Sequence, residues 1–375
     1  MKRISTITFH ASHNYGSCLQ AYALQEIIKK ICNENVQYEI INLRTPIQKE
    51  MYRPFFEKKD IKSIVKSIIF FFNKKQLYRK QELFEEFINT YLNITKEYQS
   101  LEELKKEEWS SDIYIAGSDQ LWNKYAIDFD WSNYLEFVNN GKKVSYAASF
   151  GPRPQEWTSL EKERIKENIL KFSNISVREQ GSYYNIKELT GLEPEINVDP
   201  TLLLKKEEWE QILPQKKVYD KEYIFLYNLK NKEYVKLAHK ISKKLGIPII
   251  VSKDGKLEEI FYGFKRKFDV GPLEFLLLIK NAKLVLSSSF HGTIFSIIFN
   301  KPFFALKGNE DFRIKTLLEK MNLSERSINF EDLEEKCKKA YNIKFDEAEK
   351  LLDKERKKSE EYLIKALEIN TKKEV

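Results

Sequence analysis

Residues 283–306, KLVLSSSFHGTIFSIIFNKPFFAL, run from a short apolar strand pattern through a hydroxyl-rich loop into a helical pattern and then, past a proline, into another apolar strand pattern. Strands that alternate with helices in this way lie parallel, since two parallel neighbours need a crossover connection between them. A parallel sheet must be covered on both faces, so its strands read as continuous apolar runs rather than as alternating ones. This pattern excludes an all-helical or all-β chain. It also locates function, because open α/β sheets take ligands outside the carboxyl ends of their strands.

The same alternation recurs along the chain. Ile4 to Phe9 reads as a strand, HASHNYGS as a polar loop, and Cys18 to Ile31 as a helix with Leu19, Tyr22, Ala23, Ile27 and Ile28 on one stripe. Tyr38 to Leu43 is the next strand. Lysine-rich helical segments fill 57–108, and strands return at Asp112–Ala116, Lys143–Ala147, Ile175–Val177 and Glu195–Val198, separated by helices around 157–172 and 180–190. Residues 205–222 are polar, contain Pro214 and read as a linker. Beyond them come strands at Tyr223–Leu229, Pro248–Ser252, Lys283–Leu286 and Pro302–Leu306, and helices at 231–245, Pro272–Asn281 and Thr293–Phe299. With 375 residues, the reading is two α/β domains in series. The first spans 1–212 with a helical insertion at about 57–108, the second spans 213–330, and 331–375 form a helical tail.

Composition narrows the function. The excess of 64 Lys+Arg over 56 Asp+Glu, net +8, is spread along the chain, so a nucleic-acid groove is not expected. Three cysteines without a C-x-x-C pair argue against a disulfide framework or structural zinc, and no H-E-x-x-H spacing suggests a catalytic metal. The start MKRISTITFHASHN turns polar too early for a secretory signal, and no apolar run reaches membrane-spanning length, so a cytoplasmic location is expected. Residues 61–75 carry apolar side chains at helical spacing flanked by lysines, which suits peripheral membrane contact or packing in the domain.

Four loops are placed to carry chemistry. In SSSFHGT, Ser287, Ser288, Ser289, Gly292 and Thr293 lead into a helix whose free N–H groups suit an anion. His291 stands at that positive helix end, which favours its neutral form and general acid/base work. The bland alternative is that the serines are helix caps. In HASHNYGSCLQ, Asn14, Gly16 and Ser17 can form a hydroxyl- or anion-binding turn without a dinucleotide signature, and Cys18 beside His10 and His13 is either a nucleophile or a packed thiol. In AGSDQLWN, Asp119 can accept sugar hydroxyls and Trp122 can stack on a sugar ring, or the pair can be cap and core. In SVREQGS, Arg178 can clamp a carboxylate or phosphate, or form a salt bridge. His239, inside a lysine-rich helix, reads as structural or exposed.

The stretches NYGSCLQAYALQ, AGSDQLWN, SYAASFGP, SVREQGS, VDPTLLL, NAKLVLSSSFHGTIFSIIFNKPFFAL and DFRIKTLLEKMNLSER, in this order, resemble the polysaccharide pyruvyl transferase family through about residue 325. The resemblance implies a GT-B-like α/β fold, two Rossmann-type domains facing a cleft. It implies transfer of a pyruvyl group from phosphoenolpyruvate to sugar hydroxyls, as a ketal, in cell-surface polysaccharide or exopolysaccharide biosynthesis. The acceptor is a sugar or lipid-linked sugar, and no cofactor is needed beyond the phosphoenolpyruvate donor. His291 matches the family's histidine and Arg178 a donor-binding arginine; some members carry a basic residue where this chain has Ser289. Two other classes compete: a GT-B glycosyltransferase using a nucleotide sugar, and a non-catalytic glycan-binding or assembly protein.

Overall fold

A computed structural model describes residues 1–52, 61–227, 231–252, 257–308 and 310–369, and of residues 61–72 and 257–258 the backbone alone. The chain divides into two units: residues 1–52, 88–204 and 353–375 form the first, and residues 53–87 and 205–352 the second.

Unit 1 opens with β1 (Lys2–Ile7), α1 (Tyr15–Ile31), β2 (Val36–Leu43) and α2 (Pro46–Tyr52). The end of α3 (Ile61–Tyr91) leads into β3 (Ile94–Tyr98), α4 (Leu101–Lys105), β4 (Ile113–Ala116) and β5 (Lys142–Ser145). Then come α5 (Ser159–Ile169), β6 (Ser176–Val177), α6 (Gln180–Thr190) and β7 (Glu195–Ile196). The sheet order is β3-β2-β1-β4-β5, every pair parallel. Isolated bridges Val144–Asn174 and Ala148–Val177 extend it toward the β6-β7 pair. The central strand β4, IYIA, is buried at every residue, as a strand covered on both faces requires. Helix α1 is buried from Tyr15 to Leu24 without a break, so it is a core helix rather than a surface one.

Unit 2 carries α7 (Lys206–Gln211), β8 (Ile224–Tyr227), α8 (Lys232–Leu245), β9 (Ile249–Val251), α9 (Leu257–Phe261) and β10 (Lys265–Arg266). It continues through α10 (Pro272–Asn281), β11 (Leu284–Ser287), α11 (Phe290–Ile298), β12 (Phe303–Ala305), α12 (Phe312–Lys320) and α13 (Leu333–Lys338) to α14 (Phe345–Ala366). Its order, β10-β9-β8-β11-β12, repeats that of unit 1, again with parallel pairs throughout. In α8 the buried Tyr234, Val235, Leu237, Ala238 and Ile241 form the sheet-facing stripe, and Gly246 at φ 68° ends the helix in the left-handed conformation that glycine adopts without strain.

Three segments depart from the sequence reading. Residues 205–222 are not linker throughout: α7 occupies 206–211, and its Trp209 is fully buried edge-on against Phe295. A buried aromatic of that size contributes about 1.5–3 kcal/mol, enough to hold a short polar helix in place. Within 57–108, β3 is a strand; its sequence ITKEY carries the exposed charges Lys96 and Glu97 and buries Tyr98 alone because it lies at the sheet edge. Helix α11 starts at Phe290, so His291 lies inside its first turn rather than before it. Residues 353–366 of the charged tail return to unit 1, where the Tyr362 hydroxyl donates to the Ser145 carbonyl at 2.7 Å and Arg356 Nε to the Leu202 carbonyl at 2.6 Å. Leu363, Ala366 and Leu367 are buried there. The apolar stripe read at 61–75 falls mainly on side chains outside the described residues. No helix among the described residues is long and apolar enough to cross a membrane.

Candidate functional site

Each sheet reverses its strand order once, between β1 and β4 in unit 1 and between β8 and β11 in unit 2. Loops diverge on either side of such a reversal and leave a crevice at the carboxyl ends of the strands. The loops of Asn14, Asp119 and His291 leave their strands at these points, whereas Arg178 follows β6 and His239 lies within α8.

In unit 2, β11 ends at Ser287, whose hydroxyl donates to the Ser289 carbonyl and accepts the Ser289 N–H, both at 3.0 Å. This closes the turn into α11. Ser289 is the N-cap in extended conformation, yet its side chain makes no capping hydrogen bond. The Ser289 side chain therefore does not answer the first N–H groups of α11. His291, 8% exposed, lies in this first turn with its ring edge-on to Phe290 at 5.5 Å. Thr293 turns inward, its hydroxyl donating to the Ser289 carbonyl at 3.1 Å. Gly292 serves packing: a Cβ there would stand 2.2 Å from Ser287 Oγ and 3.2 Å from Tyr227 Cδ1.

The next loop of unit 2 adds a residue that the sequence reading passed over. Arg313, in the first turn of α12, forms a two-pronged pair with Asp311 at 3.0 and 2.6 Å and places its guanidinium 5.6 Å from the Phe290 ring centre. A cation thus stands beside the α11 start. Its signal was the tripeptide DFR just after a strand, opening a helix.

Unit 1 presents different chemistry. Asn14 caps α1, accepting the Gly16 N–H at 3.1 Å, and remains exposed. Ser17 donates to Asp119 Oδ2 at 2.6 Å across the reversal point. Asp119 holds φ +79°, a conformation that Asp tolerates better than most residues and that is enriched at functional turns. Cys18 is buried, its thiol donating to the carbonyls of His10 and Ser12 at 3.3 and 3.2 Å, which makes it a packed thiol. His10, 1% exposed, is fixed between the Thr8 carbonyl and Asn42. Trp122 is wholly buried, stacked on Tyr134 at 5.5 Å and flanked by Phe150 and Phe172, so it belongs to the core and offers no face to a sugar.

Arg178 is also enclosed. Its side chain, 1% exposed, pairs with Asp199 at 2.9 Å, Glu179 at 3.5 Å and Asp119 at 3.8 Å. Burial works against its charge, but the three carboxylates outweigh that and hold its pKa above the ordinary value. As placed, the guanidinium is engaged by acids inside unit 1, donating to Asp199 and standing farther from Asp119. Glu179 in turn accepts from Ser149 at 2.7 Å and from Ser182, and Asp199 accepts from the Thr201 hydroxyl at 2.6 Å.

His239 is half-buried and stacked on Tyr262 at 4.2 Å, and its pKa is lowered by burial and then by Lys243. It packs its own helix onto α9.

Two parallel α/β units with one reversal each define a Rossmann-type, GT-B-like architecture. Solved structures share it: UDP-GlcNAc 2-epimerase from Methanocaldococcus jannaschii (17% identity, 92% of this chain and 94% of that one, TM-score 0.50) and UDP-N-acetylglucosamine 2-epimerase from Rickettsia bellii (13%, 98% and 97%, 0.50). Anabaena HepE, solved with UDP and glucose, is similar at 9% identity over 98% of this chain and 100% of that one, TM-score 0.53. At such identities the likeness is one of fold. No curated protein sequence matches the chain. The chain belongs to the polysaccharide pyruvyl transferase family, whose model matches residues 14–309.

Proposed function

We propose that the protein moves a pyruvyl group from phosphoenolpyruvate to hydroxyls of a sugar or lipid-linked sugar, closing a ketal, during synthesis of a cell-surface polysaccharide. The observation that carries this reading is the α11 N-terminus, uncapped by Ser289, with His291 in its first turn and Arg313 beside it. Phosphoenolpyruvate is a compact anion with a carboxylate and a phosphate. Helix N–H groups, the hydroxyls of Ser288 and Ser289 and a guanidinium suit those charges. Arg313 supplies from α12 the cation that some relatives carry at the position of Ser289.

The reaction requires a proton at the donor's methylene carbon, stabilisation of positive character at C2, attack by a hydroxyl, departure of phosphate and closure by a second hydroxyl. His291 is the proposed acid, and general acid/base catalysis contributes about 10²–10⁴-fold. Unit 1 is the proposed acceptor unit, through Asn14, Gly16, Ser17 and Asp119, with Ser17 donating to Asp119. The reading needs no metal, redox cofactor or nucleic acid. It places the protein in the cytoplasm, at the inner membrane face if the acceptor is lipid-linked.

A nucleotide sugar is the competing donor, since HepE carries UDP and glucose on a similar fold and a helix N-terminus suits a diphosphate equally. Thermal shift separates the two. Phosphoenolpyruvate at about 100 times its dissociation constant stabilises by about 2.7 kcal/mol. Stabilisation by phosphoenolpyruvate together with acceptor-dependent phosphate release supports transfer of pyruvate. A response to UDP-sugars alone replaces it with glycosyl transfer.

A further inference from the structure

The loops that frame the reversal point of unit 1 hold a second polar cluster, which none of the roles above uses. Asp128, on the loop that follows β4, receives the Ser12 hydroxyl on Oδ2 at 2.7 Å and the Tyr52 phenol on the same oxygen at 3.2 Å. Ser12 comes from the loop after β1, and Tyr52 from α2, which follows β2. Three successive strand ends therefore converge on one carboxylate. The His13 ring lies tilted over Tyr52 with centroids 5.1 Å apart.

Asp128 does little for the fold. Its Oδ1 is shielded from solvent and accepts no hydrogen bond among the described residues. No cation stands within ion-pair distance of it among those residues, and the nearby helix start at Trp131 is capped by Asp130 instead. Buried acceptors in native proteins are nearly always satisfied, and an exception calls for an account. The residue as a whole is only half-buried, and its neighbours Tyr125 and Ile127 are 50% and 53% exposed, so the loop is within reach of a ligand. Burial raises the Asp128 pKa, and the charge of Asp119 raises it further, while the Ser12 and Tyr52 hydroxyls and the Gln48 side chain act the other way.

The chemistry of the cluster selects its occupant. A carboxylate served by uncharged groups, the Ser12 and Tyr52 hydroxyls and the Gln48 side chain, and close to Asp119 repels anions and suits an O–H donor. We propose that Asp128, framed by Ser12, Tyr52 and His13, is the subsite of unit 1 that receives a sugar hydroxyl. This rests on the reading that unit 1 binds the acceptor.

The test uses the full chain and methyl glycosides of galactose, glucose and mannose, which offer free diols, with binding followed by saturation-transfer NMR. At least one glycoside is expected to bind wild type and His291→Ala alike, and to bind Asp128→Asn at least tenfold more weakly. Tyr52→Phe, which keeps the ring, is expected to weaken it several-fold, and it serves as the deciding variant should Asp128→Asn not fold. Equal glycoside affinity in wild type and the deciding variant, or no glycoside binding to wild type, overturns the proposal. Failure of phosphoenolpyruvate to bind wild type instead defeats the donor assignment and leaves the glycoside result standing.

Discussion

The two units share a sheet order and differ in what they place at the carboxyl ends of their strands. In unit 1 the loops gather Asp119, Glu179 and Asp199 around one guanidinium, Arg178, and leave Asp128 apart, held by Ser12 and Tyr52. In unit 2 they gather an uncapped helix start, a histidine and Arg313. One architecture thus carries an edge rich in carboxylates and another that presents a helix start, an imidazole and a guanidinium. The difference lies wholly in loops, whose residues can change without touching the strands that position them.

The sharpest way to break this contrast is His291→Ala. Turnover is expected to fall about 10²–10⁴-fold with an unchanged melting curve, as measured by phosphate release on the purified variant. Activity equal to wild type removes unit 2 as the site of proton transfer. Two arginine variants compare the edges directly. Arg178→Met strands three buried acids and is expected to cost about 3–5 kcal/mol in urea unfolding. Arg313→Met strands one buried acid, Asp311, in place of three, so it is expected to cost less stability than Arg178→Met and to weaken the response to phosphoenolpyruvate. The reverse pattern would exchange the roles given to the two guanidinium groups.

Gly292→Ala forces a methyl against Ser287 and Tyr227 and is expected to destabilise by about 1–3 kcal/mol, readable as a lowered Tm. An undiminished Tm would return Gly292 to a ligand-approach role. The smallest effect concerns pH. The folded state raises the Asp128 pKa, so it binds that proton more tightly than the unfolded chain does. Stability is therefore lost as pH rises through and above the ordinary Asp value of about 3.9. Asp128→Asn never acquires the charge, so its Tm is expected to exceed that of wild type at pH 7, with the gap closing by pH 3. A gap that stays constant with pH contradicts the burial assigned to this carboxyl.

Periodicity disclosed the strands and helices because buried parallel strands are apolar throughout and covering helices carry a stripe. It failed at β3, where an edge strand is built from Thr95, Lys96 and Glu97, and at α7, where one tryptophan holds a polar helix. The α11 loop was visible because its residues are contiguous. Asp128 was not, since its partners Ser12 and Tyr52 lie 116 and 76 positions away. Arg178 was noticed for its position after a strand, but its engagement with Asp199 and Asp119 depends on loops from two other strands. Proximity of that kind leaves no periodic trace.

The placement of residues 353–369 in unit 1 bears on how the molecule is made. Tyr362 and Arg356 reach strand ends and a turn laid down far earlier in synthesis. On the ribosome, every residue of the second unit has been translated before the first receives its closing helix. The nascent amino-terminal sheet therefore waits for its closing helix, and a chain released before that helix emerges would leave the first unit unfinished while the second is complete.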